Sequence, residues 1–166
     1  MQEHHMKTDY RIRPIAVINS DRGEFSIKLN KEFIPALEHL EEFSHINVLW
    51  WAHHLDTDNA RAETTVTKPY IDSPDTLGVF ATRSPMRPNP IASTVCGVSD
   101  IDFTGGIIRL HYIDADNNTP VIDIKPYIPC SDRVTNPKTG SWCKKWPLSL
   151  EKSAEFDWTT VFCNAE

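Results

Sequence analysis

The stretch from Gly78 to Val95, GVFATRSPMRPNPIASTV, restricts the fold of this chain more than any other. Prolines at 85, 88 and 90 remove three backbone donors and fix three φ angles, so neither a regular helix nor a central strand can run through it. Each proline also drives the preceding residue (Ser84, Arg87, Asn89) toward extended geometry. In an extended segment alternate side chains share a side, which lets Arg83, Arg87 and Asn89 converge on one target. A fork of donors of this kind suits a carboxylate, a phosphate or the polar edge of a heterocycle. The alternative is a proline-rich surface loop whose arginines are merely solvated.

Around this stretch the pattern is one of short strands. RIRPIAVIN (11–19) and EFSIKLN (24–30) read as two strands joined by the SDRG turn, with Pro14 implying an edge or a bulge. KEFIPALEHLEEF carries apolar residues at 33, 34, 37, 40 and 43, a helical spacing for which Asn30 is the expected N-cap. Ser44 to His54 reads as a buried strand, DTDNARA as a loop and TTVTKP as a short strand. Ile91–Asp102, GIIRLHYID and VIDIKPYIP supply three more strands, the last entered through a turn at Asp116–Thr119. The six glycines form no GxGxxG and there is no βαβ alternation, which argues against a doubly wound dinucleotide fold. The expectation is mainly β: an antiparallel β-barrel of short strands with one or two small helices.

Composition narrows function only modestly. A net charge of −6 argues against a chain-wide basic surface for nucleic acid, although Arg11, Arg13, Arg83, Arg87, Arg133, Lys138, Lys144 and Lys145 could form a local patch. The four cysteines form no CxxC pair and read as reduced, structural thiols. His53 and His54, placed on a strand end, would point to opposite faces and could not chelate one metal, so no metal site is expected. No apolar run approaches the ~20 residues needed to cross a bilayer, and a cytoplasmic protein without membrane contact is expected.

Three blocks carry a family resemblance. GVFATRSPMRPNPI resembles the GVFATRSPHRPNPIG signature of the TsaA-like family, tRNA methyltransferase O. TPVIDIKPYIP (119–129) is similar to its DGTPVLDIKPYLP, and LEEFSHINVLWWAHH (40–54) to its LEGFSHLWLLFWFHR. The resemblance covers roughly residues 11 to 133. It implies a barrel domain over 11–133, with 1–10 as a flexible tail and 134–166 as an extension packed on the barrel. It also implies a homodimer that holds S-adenosylmethionine near the subunit interface, and an enzyme that methylates N6 of threonylcarbamoyl-adenosine beside the tRNA anticodon.

Carried over by position, the donor-binding residues fall on His53, His54, Arg83, Val95, Asn117, Asn118, Thr119 and Pro120. The acceptor is a poor, amide-like nitrogen, and a hydrogen-bond acceptor beside it would help remove its proton. Asp123 is the candidate, with Asn89, Arg87 and Tyr127 orienting the acceptor; the alternative for Asp123 is a structural carboxylate paired with an arginine of the signature. Trp50, Trp51 and Phe80 are candidates for the sulfonium, or plain core.

The chain departs from the family in several places. NSDRGEFS is too short for the RQP stretch that usually contributes to the donor site, Met86 replaces the signature histidine, and Asn117 replaces the aspartate of DGTP. About thirty residues follow Arg133, enough for a tail or strand but not for the C-terminal domain of longer members. A methyltransferase of this fold acting on a small molecule, or a module that binds the donor without catalysis, are the competing readings.

Overall fold

The computed structural model describes residues 10–163; of the expected flexible tail at 1–10, all but Tyr10 lies outside the described residues. Six strands close an antiparallel barrel: β1 (Ala16–Asp21), β2 (Glu24–Leu29), β3 (His45–Trp51), β6 (Ile91–Asp102), β7 (Ile107–Leu110) and β8 (Pro120–Pro126), in the order β1-β2-β7-β6-β3-β8. β4 (Thr65–Thr67) and β5 (Thr76–Gly78) form a separate ribbon between β3 and β6. The expected mainly β barrel is therefore the observed architecture.

Alternation explains the core. Ala16, Ile18, Ile27, Leu29, Ile46, Val48, Cys96, Ile108, Leu110 and Val121 point inward and are buried, while their neighbours along each strand face out. β6 is twelve residues long because it serves two partners: its first half pairs with β3 and its second with β7. β1 and β2 meet at Arg22–Gly23, both at positive φ (52° and 83°), the two-residue turn whose twist matches the strands it joins. β8 and β1 close the barrel over only two residue pairs, Ala16–Val121 and Val17–Pro120.

Three local expectations are corrected. The spacing over 31–43 gives not an α-helix but two 3₁₀ segments, Lys31–Leu37 and Leu40–Glu42, separated by His39 at φ +64°. Pro35, inside the first segment, lacks the N–H that a longer α-helix would need there. Asn30 does not cap that segment; its Nδ2 donates to the Pro14 carbonyl instead (3.0 Å). The expected loop over 56–62 contains a short helix, α1 (Asp58–Ala62), whose Ala60 N–H donates to Thr57 Oγ1 (3.2 Å).

Beyond β8, the chain forms α2 (Pro129–Asp132) and then a segment with little regular structure that contains α3 (Leu150–Ser153). This segment reaches the loop between β4 and β5, where Ile71 N–H donates to the Val161 carbonyl (2.9 Å). No helix among the described residues is long and apolar enough to cross a membrane.

Candidate functional site

β3 lies between β6 and β8, and its outward residues set the rows of one barrel face. Leu49 stands between Ser93 and Asp123, and Asn47 between Val95 and Lys125. Ile46 and Val48 are buried, so Asn47 and Leu49 point away from the core. Asp123 reaches this face through a bulge. Val121 pairs with Trp50 and Asp123 with Leu49, which leaves Ile122 as an extra residue. In a regular strand Asp123 would share the buried side of Val121; the extra residue turns the carboxylate outward while Ile124 still packs on the core.

The signature lies along this face. Val79–Ala81 forms a 3₁₀ turn, after which residues 82–90 bend toward β6. Arg83 extends to β6, where Nη2 donates to the Ser93 carbonyl. Its other guanidinium N–H groups have no acceptor among the described residues. Arg87 turns the opposite way, and Nη2 donates to the carbonyls of Val79 (3.2 Å) and Thr82 (3.4 Å), holding the bend closed. Asn89 is exposed. The expected convergence of Arg83, Arg87 and Asn89 is thus not found, because the segment is bent rather than extended.

His53 and His54 are corrected as well. β3 stops at Trp51, the Ala52 N–H donates to the Pro90 carbonyl (2.8 Å), and residues 53–55 curl into a 3₁₀ turn. The two rings consequently lie side by side, with centroids 3.8 Å apart, instead of on opposite faces. Among the described residues no three His, Cys, Asp or Glu side chains gather as a metal-ligand set.

The Asn117–Pro120 turn sits at the same end of the barrel, since it leads directly into Val121 opposite Trp50. Asn118 takes φ +64°, which asparagine tolerates. The Asn117 side-chain oxygen accepts from the Ser20 N–H (3.1 Å), and buried Thr119 accepts from the Ile18 N–H through its carbonyl (2.9 Å). Arg83 and Asp123 therefore flank Leu49 on one face of the barrel, Val95 stands in the next row beside Asn47, and His53, His54 and the Asn117–Pro120 turn lie toward the Trp51 end of β3.

Tyr127 does not join them. Its N–H donates to the His45 carbonyl at the start of β3 (3.0 Å), and six strand steps of ~3.4 Å put it about 20 Å from the Trp51 end. The Asp123 carboxylate pairs with Lys125 Nζ (2.7 Å) and accepts from the Ile124 N–H (2.9 Å), so the expected alternative pairing with a signature arginine is replaced by a neighbouring lysine.

The aromatic candidates separate. Trp50 packs on the core, and its Nε1–H donates to Thr94 Oγ1 (3.1 Å), which itself donates to Asp114 (2.6 Å). Below this chain Cys96 is buried, and its thiol is pushed up to about 12 by burial and by Asp114. Trp51 donates to Asp56 (2.9 Å) and carries Arg61 over its ring at 5.4 Å. Phe80 is 84% exposed, neither core nor sealed pocket.

Residue-by-residue reading missed the clasp made by Asp56 and Arg61. Arg61 pairs with Asp56 and donates to the Pro88 carbonyl (3.1 Å), tying α1 to the signature. The hydrogen bond to Arg61 is the main cause holding the Asp56 carboxyl below its usual range. The available signal was Thr57 followed by an acid in the first turn and an arginine in the last.

Comparison with known proteins gives a consistent result. Residues 5–133 match the tRNA-methyltransferase O N-terminal domain family. The chain is 36% identical over 142 residues to a probable S-adenosyl-L-methionine-binding protein of Pyrococcus abyssi, covering 86% of this chain and 72% of that one. It is 33% identical over 124 residues to the tRNA (adenine(37)-N6)-methyltransferase of Escherichia coli, covering 74% of this chain and about half (52%) of the relative's length. The crystal structure of TrmO from Pseudomonas aeruginosa superposes with a TM-score of 0.62 at 30% identity, over 80% of this chain and 62% of that one.

Proposed function

The chain belongs to the tRNA-methyltransferase O N-terminal domain family, and from that membership we propose that it is an S-adenosylmethionine-dependent methyltransferase acting on N6 of threonylcarbamoyl-adenosine beside a tRNA anticodon. The observation that carries this reading is the barrel face on which Arg83 and Asp123 flank Leu49, with Val95 in the next row and His53, His54 and the Asn117–Pro120 turn toward the Trp51 end of β3. The donor set suits the cofactor. Arg83 is exposed with one N–H bound to Ser93, leaving others for a carboxylate, and half-buried Leu49 and Val95 offer an apolar floor.

The cofactor supplies an electrophilic methyl on a sulfonium whose charge disperses during transfer. The chain's own part is to hold the reactants in line and to keep water out, which accounts for most of such catalysis. Asp123 accepts the proton of the acceptor nitrogen, and the Lys125 contact orients its carboxylate. Arg87 keeps the signature bent so that Arg83 and Asn89 are presented on its outer side.

The functional unit in this reading is a homodimer with the donor near the interface; the exposed Phe80, inside the signature, supports a partner surface there. The test is mass spectrometry of modified nucleosides in tRNA from a strain lacking this protein. Loss of the methylated form of threonylcarbamoyl-adenosine is expected, and an unchanged nucleoside profile would move the acceptor to a small molecule.

A further inference from the structure

The segment after Arg133 lies outside the family match and builds a second feature. A cavity of about 250 Å³ opens between it and the β4–β5 loop, lined by Tyr70, Trp142, Trp146 and Phe156, with Asp72 and Lys145 paired beside them (2.9 Å). The aromatic walls are braced. Tyr70 meets Trp146 edge to face at 4.9 Å, Trp146 meets Trp158 at 5.6 Å, and Trp142 lies so close to Gly140 that an added Cβ would stand 2.5 Å from its ring. The volume falls just under the ~300–1,000 Å³ of drug-sized pockets, which suits one ring system.

Two observations identify its chemistry. The lining is two indoles, a phenol and a phenyl ring, faces on which a flat heterocycle stacks. The cavity also adjoins the site described above. Burial raises the Tyr70 phenol above its usual range, while the backbone N–H and guanidinium of Arg83 beside its hydroxyl pull the other way.

Resting on the function proposed above, we propose that this cavity takes one unpaired nucleobase from the RNA strand whose neighbouring nucleotide is methylated. The base stacks on the indoles, and exposed Lys144, next to Lys145 in the chain, meets the phosphate.

The test uses the full chain labelled with ¹⁵N, following the indole N–H resonances of its five tryptophans, with the Trp146 signal assigned by Trp146→Phe. A short single-stranded RNA should shift the Trp142 and Trp146 signals saturably, and the matching duplex should not. Trp142→Ala should weaken single-strand binding by roughly five- to a hundredfold, the range for one stacked base, with S-adenosylmethionine affinity unchanged. Signals that stay still, or respond only to free adenosine, overturn the proposal even if Trp142→Ala fails to fold. Methylation of tRNA measured in parallel separates the two readings. Activity with silent indoles sinks the cavity alone, and shifted indoles with no activity sink the methyltransferase reading alone.

Discussion

Arg83 and Asp123 face the same row of the barrel but are asked to do different things, and their substitutions should separate binding from chemistry. On the proposed reading, Arg83→Ala removes the charge-assisted donors offered to the cofactor's carboxylate. Such bonds contribute roughly 1.5–3 kcal/mol, so calorimetry should show S-adenosylmethionine binding weakened about ten- to a hundredfold. Equal affinity in the two proteins would take Arg83 out of the site. Asp123→Asn should leave that affinity nearly unchanged and lower single-turnover methylation by about 10²–10⁴-fold, the range for a positioned base. Its melting temperature should barely move, because the pair with Lys125 is largely exposed and such pairs contribute little. A drop of several degrees would instead make Asp123 a structural carboxylate. The residue itself was legible as a lone acid in IDIKPY, but its direction was not. Strict alternation puts it on the side of Val121, and only the extra residue at Ile122 turns it out.

Among the elements, the strands were legible because β-branched and aromatic residues alternate within them, and the helices were not. Over 31–43 the apolar spacing was real, yet Pro35 and the left-handed His39 break it into 3₁₀ pieces that lay Phe33, Ile34 and Leu40 against the core. α1 escaped notice because five residues carry almost no periodicity. The β6–β7 turn ties one of these pieces to the barrel, and a pair of substitutions can measure how tightly. Gly106 has φ +64°, and a Cβ there would stand 2.6 Å from the Ile34 side chain. Gly23 has φ +83° with nothing within 4 Å of an added Cβ. Gly23→Ala should therefore lose only the conformational part, about 1–2 kcal/mol. Gly106→Ala adds the contact with Ile34 and should lose roughly 1–3 kcal/mol more, the usual range for overpacking. Denaturant titration of both variants reads the difference directly, and equal losses would mean that the 3₁₀ segment is free to move aside.

For the molecule as a whole, the proposed chemistry requires an exposed barrel face to become a closed site. Methyl transfer from a sulfonium benefits from a dry, fixed geometry, yet Ser93 and Lys125 on the candidate face are exposed and Asp123 is only half-buried. A second copy of the chain would cover such a face, and the signature offers it an apolar contact in Phe80, which is 84% exposed. A stable pair would bury about 1,200–2,000 Å² in total, with an aromatic anchor near its centre. Light scattering on the eluting protein should accordingly report twice the 18.9 kDa of one chain. Phe80→Asp should shift it to a monomer, because a carboxylate buried at that centre would lack a partner. If the donor site is completed across the interface, the monomeric variant should also lose S-adenosylmethionine affinity while keeping the wild-type melting profile of an isolated barrel at high dilution. A monomeric wild type that binds the cofactor tightly would show instead that one barrel suffices, and the cover would have to come from the RNA.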